Sequence, residues 1–146
     1  MAAPSTRPRT TDHEQRTALL LIAHGSREPA ANADLHHLAE ALRRQGEYAW
    51  VEAAFLELAE PDPDAGAARC LARGAQRVIL LPYFLSAGVH VTRDLSAIRD
   101  RLTKRHPHVE IRLAEPLGRH PLLVQIVRDR VREAEAATPA AAAKER

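Results

Sequence analysis

The most constraining feature of the sequence is an uninterrupted apolar run, TALLLIA (residues 17–23), that leads directly into His24 and Gly25. A short run without polar alternation is typical of a strand that is covered on both faces in a parallel sheet. Three later runs also have strand length, and a stretch with helical spacing of apolar residues follows each of them. These strands are predicted at residues 48–55, 77–81 and 108–113.

The stretches between and after these strands predict four amphipathic helices. Four strand-then-helix units imply a four-stranded, parallel, doubly wound α/β sheet with right-handed crossovers and helices on both faces. In the last helix we expect Leu123, Val127 and Val131 to face inward. The helices are expected from Pro29 to a stop at Gly46, from about Pro61 to Arg73, from the apolar stripe beginning at Val91 to Pro107, and from about Pro121 to Ala137.

The two ends of the chain differ in composition from its middle. Residues 1–16 are polar and contain two prolines, whereas residues 136–146 are rich in alanine and end in charged side chains. Such segments bury too little apolar surface to fold, so both ends are predicted to be disordered. Of the 146 residues, 17–135 are therefore expected to form one α/β domain, a length that provides one hydrophobic core.

Composition also excludes several classes of protein. The net charge is +2 and both signs are interspersed, while aromatic residues make up only 3%, so neither a basic stripe nor a stacking platform for nucleic acid is expected. No apolar run approaches the roughly 20 residues that span a bilayer. The single cysteine, Cys70, fits a reducing compartment, and we expect a cytoplasmic protein. Cys70 itself is expected to be a small buried side chain.

Three side chains that can bind metal follow successive predicted strands. His24 follows the first strand, Glu57 the second and His90 the third. Ligands of open parallel sheets bind at the carboxyl ends of the strands, so we expect these three side chains at one rim. Two imidazoles and a carboxylate suit Fe²⁺, Co²⁺, Ni²⁺ or Zn²⁺ better than Mg²⁺, and they leave coordination positions open.

Each of these residues also has an ordinary interpretation when it is considered alone. His24 can be a buried histidine that is hydrogen-bonded to backbone at a strand end. His90 can face solvent at a helix N-terminus, and Glu57 can cap the helix that follows it. Their joint placement after three successive strands is what favours a functional site. A fourth rim residue, His120, has no assigned role.

Four motifs in order, HGSR, FLELAEP, PYFLSAGVHV and EPLGRHPLL, resemble those of the small single-domain sirohydrochlorin cobaltochelatases and ferrochelatases, the class II chelatases. The resemblance extends from about Thr17 to Val131. It implies a flavodoxin-like, chelatase-type sheet and the insertion of Co²⁺ or Fe²⁺ into the tetrapyrrole sirohydrochlorin. It further implies that no ATP or additional cofactor is needed. His24 and His90 match the metal-binding histidines, Glu57 matches a nearby acidic residue, and larger relatives with two such domains imply a homodimer.

A tetrapyrrole substrate makes further rim residues candidates for binding. Its carboxylates could pair with arginine side chains, and its macrocycle could lie on apolar residues. The arginines could equally be ordinary solvated charges, and the aromatic residues could fill the core or a dimer contact. The candidates for substrate binding are Gly25, Ser26, Arg27, Tyr83, Phe84, Leu85, Ser86, Arg93 and Arg119.

Two alternatives to a chelatase use the same residues. Histidine phosphatases also place a histidine and a glycine after their first strand, typically with an arginine before the histidine to hold phosphate. Here that position is Ala23, and the partner histidine follows the third strand instead. The second alternative is a carrier of metal or tetrapyrrole that binds one equivalent and performs no turnover.

Overall fold

The computed structural model describes residues 16–137, which form four strands and four helices in strict alternation. The predicted disordered ends, residues 1–16 and 136–146, lie outside the described residues except for Arg16, Ala136 and Ala137. The elements are β1 Thr17–Ala23, α1 Pro29–Gln45, β2 Trp50–Phe55, α2 Pro63–Ala72, β3 Arg77–Pro82, α3 Val89–Arg105, β4 Glu110–Leu113 and α4 Leu122–Ala136.

All strand pairs are parallel, and the strand order is β2-β1-β3-β4. Because β1 lies between β2 and β3, the loops that follow these three strands are neighbours at one rim of the sheet. The register sets Ala23 beside Phe55 and Ile22 beside Pro82, so these strands end at nearly the same level. The predicted four-stranded, parallel, doubly wound sheet is confirmed.

The alternation of side chains along β1 divides the core into two layers. Leu20 and Ile22 point toward α2 and α3 on one face, whereas Leu19 and Leu21 point toward α1 on the other. All four are buried, which explains why β1 shows no polar alternation in the sequence. The prediction of helices on both faces is therefore confirmed.

Helix α2 begins at a well-formed N-cap. The carboxylate of Asp62 accepts a hydrogen bond from the backbone N–H of Ala65 at 2.8 Å. Two residues further on, the Arg101 guanidinium donates two hydrogen bonds to Asp64 and holds the pKa of that carboxyl below its ordinary value. These contacts anchor α2 at its start and tie it to α3.

Replacing Asp62 with alanine removes the cap and is expected to lower the free energy of unfolding by about 1 kcal/mol. Urea unfolding followed by circular dichroism measures the change. The Asp62→Asn variant is the matched control, because asparagine caps a helix about as well as aspartate. Equal losses in the two variants would contradict a capping role.

Cys70 lies on the buried side of α2 and is fully inaccessible. Burial raises the pKa of its thiol to about 12. The prediction of a small buried side chain is confirmed.

The prediction that the last helix faces inward is wrong. Helix α4 has no buried residue, Leu123 is only half-buried, and Val127 and Val131 are 60% and 50% exposed. The spacing of apolar residues correctly predicts an amphipathic helix. That spacing does not fix what the apolar face packs against, and α4 packs on neither face of its own sheet.

Candidate functional site

The rim at the carboxyl ends of β1, β2 and β3 is held together by backbone hydrogen bonds. The N–H of Leu56 donates to the carbonyl of Ala23 at 2.9 Å, and the N–H of Tyr83 donates to the carbonyl of Ile22 at 2.8 Å. The pairing of β1 with β2 continues one residue further, from the N–H of Glu57 to the carbonyl of His24 at 3.0 Å. The first residues of the loops are therefore fixed by the sheet itself.

This extended pairing brings His24 and Glu57 into direct contact. Nε2 of His24 lies 2.7 Å from Oε1 of Glu57, and both side chains are a little over half exposed, at 57% and 56%. A carboxylate that accepts a hydrogen bond from Nε2 fixes the proton of a neutral imidazole on that nitrogen. Nδ1 then carries the free lone pair and is the atom available to a metal ion or a proton.

Gly25 makes the contact between these two loops possible. Its φ of +99° is rarely adopted by residues with a side chain, and a Cβ there would lie 1.8 Å from the carbonyl oxygen of Glu57. Only glycine lets the loop after β1 lie directly against the loop after β2.

The side chain of Asn32, in α1, fixes the next residue of the loop. Its Oδ1 accepts a hydrogen bond from the Ser26 N–H at 2.9 Å, and its Nδ2 donates to the Ser26 carbonyl at 2.7 Å. The Ser26 hydroxyl accepts from the N–H of Glu28 at 3.1 Å. Asn32 is not among the residues predicted from the sequence; an amide side chain near the start of the helix after a polar loop is the signal that indicates it.

His90 lies in the first turn of α3, which begins after the loop from β3, and its side chain is exposed. Within residues 16–137 no group of three or more His, Cys, Asp and Glu side chains is arranged to hold a metal ion. The structure thus joins His24 to Glu57 but does not join His90 to them. The three-ligand site stays a prediction.

Of the three residues predicted to contact the macrocycle through apolar side chains, only one is exposed. Tyr83 and Phe84 are half-buried and pack against the two core layers, whereas Leu85 is 69% exposed. Two further exposed apolar side chains, Leu58 beside Glu57 and Val89 beside His90, were not among the predicted residues. In the sequence, each of them is adjacent to a predicted metal ligand, and this adjacency is the signal that indicates them.

The arginine candidates lie in exposed positions. Arg27, Arg93 and Arg119 are exposed, and none forms an ion pair within the described part of the chain. Arg119 and Ser86 line a cavity of about 490 Å³ between the loops after β3 and β4. None of His24, Glu57 and His90 lines this cavity, so it is separate from the contact between His24 and Glu57.

His120 has a structural contact at the same rim. Its Nδ1 accepts a hydrogen bond from the N–H of Leu122 at 3.2 Å, where α4 begins. Only Nδ1 of His120 takes part in this contact with the start of the helix; Nε2 does not.

Comparisons with known proteins give a consistent result. The sequence model of the CbiX family matches residues 18–134. A sirohydrochlorin cobaltochelatase of Priestia megaterium is 36% identical over 80% of this chain and 38% of its own length. One from Methanopyrus kandleri is 31% identical over 80% of this chain and 96% of its own length.

Among solved structures, the sirohydrochlorin chelatase SirB of Bacillus subtilis subspecies spizizenii, in complex with cobalt, superimposes with a TM-score of 0.74 at 27% identity. The match covers 81% of this chain and 50% of that one. The chain therefore spans half or less of some relatives and nearly all of others. Within the described residues, no helix is long and apolar enough to cross a membrane.

Proposed function

Because this chain belongs to the CbiX family, we propose that it is a metal chelatase that inserts Co²⁺ or Fe²⁺ into sirohydrochlorin. Priestia megaterium and Methanopyrus kandleri relatives are named for the cobalt reaction. The observation that carries the proposal is the direct contact between His24 and Glu57 at the rim of the sheet. The reaction needs ligands for a cation and acceptors for protons at one place, and this pair provides both.

Metal insertion exchanges one dication for two protons. A hydrated cation loses water and binds the ring nitrogens, while the two pyrrolic N–H groups release their protons. His24 can bind the arriving cation through Nδ1, because its Nε2 proton is held by Glu57. The carboxylate of Glu57 makes the imidazole a stronger ligand, and its negative charge acts on the dication through the ring. Once the metal has moved into the ring, either side chain can accept a released proton.

His90 is proposed as the second protein ligand. It lies in the first turn of α3, after the loop that follows β3, and is accessible to solvent. Metal ions that exchange rapidly need incomplete protein coordination, and two histidine ligands, one of them oriented by Glu57, leave positions for water and for the ring nitrogens. The metal is a substrate in this scheme, and no ATP or additional cofactor is required.

The substrate is proposed to bind across the same rim. Sirohydrochlorin carries many carboxylates, and the exposed guanidinium groups of Arg27, Arg93 and Arg119 are suitable partners for them. Leu85 offers an apolar contact to the macrocycle, and Ser86 lines the same cavity. Gly25 and Ser26, in the loop after β1, are proposed to contact the macrocycle from the side of His24. Leu58 and Val89 extend the apolar contact toward the proposed metal ligands.

We further propose that the protein works as a cytoplasmic homodimer. The match covers half of the cobalt-bound Bacillus subtilis chain, so two copies of this chain would together have about the same length as that chain. A second rim facing the first would enclose a flat macrocycle between them. The buried thiol of Cys70 is consistent with a reducing compartment.

Anaerobic absorbance measurements test the proposed function. Purified protein with metal-free sirohydrochlorin and Co²⁺ or Fe²⁺ is expected to form many equivalents of product per chain, faster than the uncatalysed reaction. A carrier would bind one equivalent and stop, and a phosphatase would release phosphate from a phosphomonoester instead. The absence of any acceleration with Co²⁺, Fe²⁺ or Ni²⁺ would contradict the chelatase proposal.

A further inference from the structure

Two residues in the loops of the rim have a backbone conformation that side chains rarely adopt. Within residues 16–137, Leu58 and Arg119 are the only residues other than glycine with a positive φ, at +64° and +65°. This left-handed conformation brings the Cβ of a residue too close to the following carbonyl oxygen, and so it lowers the stability of the fold. At the other described positions with positive φ the chain has glycine, which avoids this cost: Gly25, Gly46 and Gly74.

Backbone contacts hold Leu58 in the left-handed conformation. Immediately before it, the Glu57 N–H donates to the His24 carbonyl at 3.0 Å. The loop is closed by the hydrogen bond from the Phe55 N–H to the Pro61 carbonyl at 2.9 Å. These bonds join backbone groups alone, so they fix the conformation of residue 58 without requiring a leucine there.

The loop that carries Arg119 is fixed in a similar way. The Leu117 N–H donates to the Phe84 carbonyl at 3.0 Å. The next residue, Gly118, lies so close to Leu85 that a Cβ would meet the Leu85 carbonyl oxygen at 1.8 Å. The Arg119 side chain takes no part in these contacts, which therefore do not require an arginine.

Neither side chain contributes to the core. Leu58 is 52% exposed and packs against neither core layer. Arg119 is exposed, and its guanidinium forms no ion pair within the described part of the chain. An exposed leucine and a solvated guanidinium add little to stability. Residues that are held in such conformations without a structural benefit are characteristic of binding sites.

The two residues lie on opposite sides of His24. Leu58 follows β2 and Arg119 follows β4, and these are the two edge strands of the sheet. Three interstrand spacings, about 14 Å, separate the edge strands. A tetrapyrrole with its side chains has a comparable width. A flat ring that bridges the two loops therefore passes over the end of β1, where His24 lies.

We infer that Leu58 and Arg119 select the ring: Leu58 contacts its apolar surface, and Arg119 pairs with a carboxylate at its opposite edge. The inference rests on the proposed function and specifies how its substrate is recognised. The ligand class is a flat apolar ring with carboxylates at its edge, which needs one contact of each kind. The inference also explains why the chain has a leucine and an arginine at positions where glycine would give a more stable fold.

Glycine substitutions separate binding from stability, because the two are expected to change independently. Leu58→Gly and Arg119→Gly are expected to unfold in urea at a midpoint equal to or above that of the wild type, since glycine tolerates positive φ. Arg73→Gly is the matched control, because Arg73 is an exposed arginine at the end of α2 with a φ of −89°. Glycine there only adds backbone freedom and is expected to lower the midpoint. A lowered midpoint in either rim variant would show a structural role and overturn the inference.

Binding is measured with metal-free sirohydrochlorin, by the change in its fluorescence as protein is added. The Kd is expected to rise about fivefold in Leu58→Gly, which loses the contact of a partly exposed leucine. It is expected to rise about tenfold in Arg119→Gly, which loses a charge-assisted pair. Arg73→Gly is expected to bind as the wild type does. An unchanged Kd in either rim variant, or a wild type that does not bind the ring, would overturn the inference.

Two further measurements identify the chemistry at each position. High salt is expected to reduce the effect of Arg119→Gly and not that of Leu58→Gly, because salt screens only the charged pair. Leu58→Asn removes the apolar contact but keeps a side chain that tolerates positive φ, so its Kd is expected to rise as in Leu58→Gly. Wild-type binding by Leu58→Asn, or an effect of Arg119→Gly that is independent of salt, would contradict the assigned contacts.

These outcomes are separate from those of the turnover experiment, because the binding measurements contain no metal. A protein that binds the ring with the expected changes but does not accelerate metal insertion would support the inference and contradict the proposed function. A protein that inserts metal while both rim variants bind the ring as tightly as the wild type would overturn the inference and leave the proposed function intact.

Discussion

Replacing His24 with alanine is expected to lower kcat/KM for metal insertion roughly 10²- to 10⁴-fold, the range that loss of a group active in proton transfer causes. The substitution removes the imidazole that Glu57 orients, and with it a proposed ligand for the arriving cation. His90→Ala is expected to cause a loss of the same order. The measurement is the initial rate of product absorbance with Co²⁺ and with Fe²⁺.

The control for this experiment is His108→Ala. His108 precedes β4 and so lies at the opposite end of the sheet from the rim, where its exposed side chain can be removed without affecting the site. Because His24 is more than half exposed, its loss is not expected to reduce the free energy of unfolding by more than about 0.5 kcal/mol. Wild-type rates in both His24→Ala and His90→Ala would refute the assignment of the metal ligands.

The second large effect is expected at Gly25. Gly25→Ala forces a side chain into the region of positive φ at a cost of about 1–2 kcal/mol, and its Cβ meets the Glu57 carbonyl at 1.8 Å. The loops must separate, which also breaks the bond between the Glu57 N–H and the His24 carbonyl, worth about 1 kcal/mol. We expect a total loss of about 3 kcal/mol in the free energy of unfolding and a loss of turnover, measured by urea unfolding and by absorbance.

Gly46→Ala is the matched control for the steric part of this effect. Gly46 also has a positive φ, +71°, but a Cβ there meets nothing within 4 Å. The variant should therefore show only the conformational cost, and its turnover should equal that of the wild type. If Gly25→Ala were no less stable than Gly46→Ala, the close approach of the two loops would not be needed for stability.

The sheet can be predicted well from the sequence, because a strand that is buried on both faces is an uninterrupted run of apolar residues. The predicted bounds of β1 agree with the structure at both ends, since every residue in it is apolar except Thr17. The fourth strand is shorter than predicted and begins at Glu110 rather than His108. As an edge strand with no buried residue, β4 has a weaker hydrophobic pattern from which to place its start.

The contacts of the site are harder to predict than its location. Topology alone places His24 and Glu57 after neighbouring strands, but their 2.7 Å contact depends on the extended β1–β2 pairing and on Gly25. The two hydrogen bonds between Asn32 and Ser26 depend on where the first turn of a helix meets a loop, which periodicity does not encode. The prediction that α4 faces inward is wrong for a related reason, because an amphipathic pattern does not identify the surface on which the helix packs.

The burial of Cys70 has a consequence for a protein that is proposed to handle redox-active metals. Only the thiolate form is a good metal ligand and a target for oxidation, and burial holds this thiol protonated with a pKa of about 12. No other cysteine occurs in the chain. The chain therefore offers iron or cobalt no accessible thiolate that competes with the rim, and peroxide formed from Fe²⁺ and oxygen meets no exposed thiol. If the chain is the proposed chelatase, the packing of α2 keeps its one thiol away from the metal substrate.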